Sequence, residues 1–151
     1  MERDLPYGHS TRQKLDLVFS LGDVSDALLH IFVHGGYLRE GSKDVYMLVA
    51  DPVLAAGGIF TLVRYDLMRS SHLRDIVTQV RTASGSITAL APTFGANPDR
   101  MTASGHSAGA HLASLLAAHA PCDIGLPRCQ TQKHFCWSVV STTSLAFQRA
   151  I

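Results

Sequence analysis

Along this chain the spacing of hydrophobic and polar positions changes period several times, and each change marks an element. Leu15, Leu17 and Phe19 alternate with Asp16 and Val18, which predicts a half-buried strand closed by the turn-rich stretch Ser20 to Asp26. Ala27-Leu28-Leu29-His30-Ile31-Phe32-Val33 is nearly continuous in apolar residues, the pattern of a strand covered on both faces. Its polar member, His30, is expected to be a satisfied core or sheet-end residue rather than a ligand. A helix is predicted from Lys43 through Tyr46, Met47, Val49 and Ala50, with Ser42 as N-cap. Asp51-Pro52 interrupts it, as a kink or as a fresh start with proline at the first helical position, and Gly57-Gly58 ends it.

Ile59 to Val63 reads as the next buried strand. Leu73, Ile76, Val77, Val80, Ile87 and Leu90 then follow helical spacing, with Gly85 as a weak point. Pro92 and a loop from Phe94 to Pro98 stop that helix before a last strand, Arg100 to Ser104, and a small apolar helix, Ala110 to Ala118. Strand, strand, helix, strand, helix, strand, helix predicts an α/β fold with a mostly parallel sheet and helices on both faces.

Composition narrows the class. The 151 residues make one domain's worth of chain, of a size that buries about two-thirds of its unfolded surface. A hydrophobic fraction of 46%, a charged fraction of 17% and a net charge of +1 describe a globular protein with no electrostatic bias toward nucleic acid or anionic membrane. The start has acidic residues and no apolar signal core, and the longest apolar run, Val53 to Val63, is far short of a bilayer span, so a soluble, cytoplasmic protein is expected. The three cysteines, Cys122, Cys129 and Cys136, show no C-x-x-C pair; free thiols are expected rather than a zinc site with His134, so no metal is assigned.

The chemistry concentrates at two strand ends. Gly105-His106-Ser107-Ala108-Gly109 stands between the predicted last strand and its helix, the strand-turn-helix setting of G-x-S-x-G. A serine on so sharp a turn is held strained, and a Cβ at either flanking glycine would strike the neighbouring strand or helix. The Ala108 amide then opens a helix, where its N–H can face a developing oxyanion. A chance glycine-serine loop is the other reading of the pentapeptide. His34-Gly35-Gly36-Tyr37 follows the apolar strand directly, and paired glycines there let backbone N–H groups turn outward into an anion site, or simply make a turn.

Together with Leu5-Pro6-Tyr7-Gly8, Arg12-Gln13-Lys14-Leu15-Asp16-Leu17, Arg64-Tyr65-Asp66-Leu67, Ile76-Val77-Thr78-Gln79-Val80-Arg81 and the run through Leu112, these residues give a family resemblance. The chain resembles the α/β-hydrolases of the HGG esterase group, and within it the kynurenine formamidase (arylformamidase) family, over about residues 4 to 118. The resemblance implies Ser107 as nucleophile, the amides of Gly36, Tyr37 and Ala108 as oxyanion donors, and His34, Gly35, Gly105, His106 and Gly109 as motif residues. It implies hydrolysis of an N-formyl aryl amide such as N-formylkynurenine, in tryptophan catabolism, without a cofactor. The expected partner is that small-molecule substrate, with neither nucleic acid nor membrane, and a homodimer is left open. A carboxylesterase or deacetylase with the same machinery, or a catalytically inactive truncated form, is the alternative.

Leu38 stands where the family has tryptophan, and Met68-Arg69 replaces an expected proline. In the family the triad acid and histidine come later than this chain runs, so the expectation is a single incomplete domain over 1–151, with a divergent tail from 119 and little activity of its own. Asp123 and His134 imitate the order Ser…Asp…His, and His111 and His119 are also downstream of the serine, but none is expected to complete a triad. His134 to Val140 reads as a further strand.

Overall fold

A computed structural model describes residues 1–20, 25–39, 43–68, 70–118 and 136–137. Six strands, β1 (Glu2–Pro6), β2 (Lys14–Val18), β3 (Ala27–Val33), β4 (Ile59–Arg64), β5 (Ala96–Gly105) and β6 (Cys136–Trp137), form one sheet in the order β1-β2-β4-β3-β5-β6. β3 runs parallel to both β4 and β5, and β6 parallel to β5, whereas β2 is antiparallel to β1 and β4. Three α-helices lie beside it among the described residues: α1 (Asp51–Ala55), α2 (Leu73–Leu90) and α3 (Ala108–Ala118).

Period-2 alternation sends each strand's residues to two cores. Leu29, Ile31 and Val33 of β3, with Ile59 and Val63 of β4 and Leu15 and Leu17 of β2, meet Ile76, Val80, Ala83 and Ile87 of α2 and Leu112 and Ala113 of α3. The α2 residues recur at helical spacing and so form one stripe. Phe32, Phe60 and Leu62 face the other way and pack with Ala50, Tyr46, Met47, Val53 and Leu54. Each fully buried side chain of this size contributes about 1.5–3 kcal/mol. His30 lies on that second face, its Nδ1 hydrogen-bonded with Thr102 Oγ1 and its Nε2 with Ser104 Oγ, both at 2.7 Å, so it is the satisfied sheet histidine expected.

Three local expectations change. Residues Lys43–Ala50 form a 3-10 helix rather than an α-helix, and α1 starts anew at Asp51 with a proline in its first turn. Pro52 has no N–H for the preceding carbonyls and disfavours α conformation in the residue before it, so a continuous α-helix cannot run through. β5 begins at Ala96, inside the predicted loop: Ala96 pairs with Ala27, and a shift of register before Met101 takes up Asn97 to Arg100. β1 was not expected, because an edge strand of mostly exposed residues carries no alternation; Asp16 Oδ1 accepts the Asp4 N–H at 2.8 Å and ties it on. The Ser42 cap lies outside the described residues, and of the tail strand only β6 lies within them. No described helix is long and apolar enough to cross a membrane.

Candidate active site

At the carboxyl end of β3 the chain leaves the sheet through His34, which is completely buried. Its ring lies flat on Tyr65, centroids 4.2 Å apart and 7° from parallel, and its Nδ1 meets the Gly35 carbonyl at 2.7 Å. The ring thus braces its own loop. Gly36 follows at φ 119°, open only to glycine, and then Tyr37 and Leu38 sit at φ 52° and 60°, in the left-handed region. Two successive non-glycine residues there persist only where the surroundings hold them. Leu38 packs against the main core, its carbonyl accepts the Met68 N–H at 2.6 Å, and Arg39 N–H closes the turn on the Gly36 carbonyl at 2.9 Å. Leucine in place of the family's tryptophan still anchors the loop, and Tyr37 points outward, 80% exposed.

Beside this loop β5 ends at Gly105, and the His106 N–H donates to the Val33 carbonyl at 3.2 Å. Ser107 turns the chain at φ 52°, and its carbonyl accepts the Ala110 N–H at 3.0 Å and the His111 N–H at 3.3 Å as α3 opens. Ala108, as first helical residue, has an N–H without an intrahelical acceptor. A Cβ on Gly105 would stand 2.4 Å from the Gly109 carbonyl group, and one on Gly109 would stand 2.1 Å from the Val33 oxygen and 2.3 Å from the His34 oxygen. Both glycines therefore mark places where backbone packs on backbone. The two loops touch as well: a Cβ on Gly35 would fall 2.7 Å from His106 Nδ1. Tyr46 OH shares a 3.0 Å hydrogen bond with that same nitrogen, tying the 3-10 helix to the serine turn.

Of the downstream histidines, His111 is exposed on α3, while His119, His134 and Asp123 lie outside the described residues. His34 Nε2 is buried without a partner among the described residues, so a proton placed there would find no acceptor. Burial pushes the ring down from its ordinary 6.5 to about 4; the Gly35 carbonyl opposes this, and the Arg12 and Arg64 charges add to it. The unfolded chain binds more protons at this ring below its ordinary pKa, so the stability it contributes is full above that value and is lost as pH falls toward the folded one. The expected loss is about 2 kcal/mol between pH 7 and pH 5. Burial shifts His30 in the same direction. Urea unfolding at the two pH values measures the loss, which should shrink in His34→Asn; a midpoint unchanged by acid would mean that the ring accepts its proton in place.

Behind the loop, sequence pieces that carried only a family likeness come together. Tyr65 OH donates to the His34 carbonyl at 2.7 Å, while burial first, and the nearby Tyr46 second, push that hydroxyl above its ordinary range and keep it a donor. Tyr7 OH donates to the Arg64 carbonyl at 2.6 Å and Arg12 Nε to the Tyr65 carbonyl at 3.0 Å. The buried Asp66 carboxylate accepts from Ser10 Oγ at 2.6 Å, Gln13 Nε2 at 3.1 Å and Gln79 Nε2 at 3.0 Å. Sequence reasoning gave these residues no role beyond the likeness, since polar groups from three separate stretches carry no period; an aspartate two residues after a buried strand was the one available signal.

Comparison with known proteins agrees with this architecture. Residues 15–134 match the BD-FAE protein family. Over 113 residues the chain is 32% identical to kynurenine formamidase of Danio rerio, covering 75% of this chain and 37% of that protein. Esterase B of Lactobacillus rhamnosis superposes with a TM-score of 0.77 at 22% identity, over 92% of this chain and 46% of that one. A bacterial heroin esterase superposes with a TM-score of 0.68 at 23% identity, over 76% and 37%. The chain thus spans less than half the length of each of these proteins.

Proposed function

The chain belongs to the BD-FAE family and carries part of an α/β-hydrolase fold, and on that premise we propose that it is built for acyl transfer to Ser107, with the amides of Gly36, Tyr37 and Ala108 as oxyanion donors. The observation that carries the reading is a serine at φ 52° between a strand and a helix, directly after His106, which abuts the glycine loop at the end of the adjacent parallel strand. Ligand sites of open α/β sheets lie at such carboxyl ends.

In this reading Ser107 Oγ attacks the carbonyl carbon of an N-formyl aryl amide, and the amides hold the oxyanion. The C–N bond then breaks, the amine leaves with a proton, and water cleaves the formyl ester to release formate. Likeness to kynurenine formamidases favours the N-formyl substrate, and an ester is the alternative. The proton of Ser107 needs a base, and neither His134 nor Asp123, which only imitate the order Ser…Asp…His, is expected to supply it. Without a base, a residual 10³ to 10⁴-fold acceleration over water, on the order seen for triad knockouts, is the ceiling.

Intact-mass analysis after exposure to p-nitrophenyl acetate or N-formylkynurenine tests the assignment. One acyl group on Ser107, absent from Ser107→Ala, is the expected result, with the preferred reagent telling esterase from formamidase. Labelling that survives in Ser107→Ala would remove Ser107 from the nucleophile's role.

A further inference from the structure

The Gly35-Gly36 loop has few constraints of its own, yet its residues hold a strained path. The first constraint is on the His34 carbonyl, which lies between the Tyr65 hydroxyl at 2.7 Å and the Cα of Gly109, where a Cβ would come within 2.3 Å of the oxygen. Fixing that oxygen fixes the plane of the His34–Gly35 peptide, and so sets the direction in which the chain enters the loop that carries the Gly36 and Tyr37 N–H groups. Tyr65 also carries the His34 ring on its own ring.

Tyr65, however, lies one residue beyond the end of β4, where the ladder no longer holds it. Each residue around this point is held from outside the strand. The Arg64 carbonyl is held by Tyr7, the Tyr65 carbonyl by Arg12, and the Asp66 N–H by Gln79 Oε1 at 2.9 Å. Gln79 grips Asp66 at two points, accepting from its N–H and donating to its carboxylate, which fixes the orientation of the glutamine amide. The same carboxylate draws in Ser10 and Gln13, so the segment between β1 and β2 is fastened to it. A buried carboxylate is a costly way to fasten a loop unless its direction matters, because apolar packing would serve stability as well.

We propose that Tyr65 and Asp66, held by the segment Tyr7 to Gln13 and by Gln79, are positioning residues that set the direction of the oxyanion-loop amides. The proposal rests on the assignment of Gly36 and Tyr37 as oxyanion donors. It gives the N-terminal segment, distant in sequence from every motif residue, a part in the site.

Amide hydrogen exchange on the full chain tests it without requiring turnover. Tyr65→Phe keeps the ring on His34 and removes only the donor to its carbonyl. Exchange at Arg39 and Met68, whose N–H groups close the loop on the Gly36 and Leu38 carbonyls, should rise roughly tenfold, the scale of one net hydrogen bond, while Leu29, Ile31 and Ala103 inside β3 and β5 keep their rates. Introducing 4-aminophenylalanine at position 65, whose N–H can donate again, should restore protection. Loop rates that do not change, or a rise spread evenly over the sheet, would overturn the proposal. Should Tyr65→Phe fail to fold, Gln13→Ala removes one donor to Asp66 and is expected to give a smaller rise confined to the same residues; the same two results would overturn it. An acyl adduct on Ser107 with an unaltered loop would sink this inference alone, whereas loop-confined exchange with no adduct would sink the nucleophile assignment alone.

Discussion

Alanine at position 109 is expected to abolish the native state. The new methyl would lie 2.1 Å from the Val33 oxygen and 2.3 Å from the His34 oxygen, and these are backbone atoms of the central strand and of the loop it feeds. Neither can yield as a flexible side chain would. Val33 pairs with both β4 and β5, and His34 is clamped by Tyr65. Relief therefore has to come from moving α3 off the sheet, which opens the contacts of Leu112 and Ala113 with the main core. The cost should exceed about 5 kcal/mol, enough to unfold a domain at the lower end of the roughly 5–15 kcal/mol that such folds have. Soluble yield and urea unfolding of Gly109→Ala measure it, with Ala113→Gly in the same helix as the control expected to cost about 2 kcal/mol, helix propensity plus one buried methyl. A Gly109→Ala protein unfolding within about 1 kcal/mol of the parent would show that the helix start can shift freely.

Asp66→Ala should cost about 3 kcal/mol, because it leaves Ser10, Gln13 and Gln79 without their common acceptor and opens space in a closed site. Asp66→Asn separates charge from shape. The asparagine oxygen can take the Oδ2 position, accepting from Gln13 and Gln79, while its NH2 turns to Ser10 Oγ, whose hydroxyl can accept, so the partners are kept and only about 1 kcal/mol should be lost with the charge. Chemical denaturation of the two variants gives both values. An asparagine variant as stable as the parent would mean that the charge on the carboxylate contributes nothing.

What the sequence made legible was whatever repeats or sits beside its own cause. The alternation in β2, the unbroken run of β3 and the stripe on α2 each carry their period within a few residues, and the elements stand close to where that period puts them. The glycines around Ser107 were legible because the reason for them, a strand meeting a helix, flanks them directly. The start of β5 was not, since Gly95 to Pro98 has turn composition and only pairing with Ala27, far off in the chain, draws Ala96 into the sheet. The cluster on Asp66 was hidden for the same reason: Gln13 and Gln79 are neighbours only once the sheet has formed.

The strand order also bears on how the chain is made. A ribosome releases β3 with an apolar edge whose second partner, β5, starts some sixty residues later, beyond β4 and the whole of α2. At bacterial or eukaryotic elongation rates that interval lasts about 3–12 s. For that time Ile31, Phe32 and Val33 stand in a nascent strand that only β4 can cover, and the serine turn cannot form, because His106 hangs from the Val33 carbonyl and arrives last. Translation pausing between β4 and β5 would prolong the exposure and favour capture of the strand by a chaperone or another nascent chain, whereas a pause just after α3 would let the sheet close before more polypeptide follows.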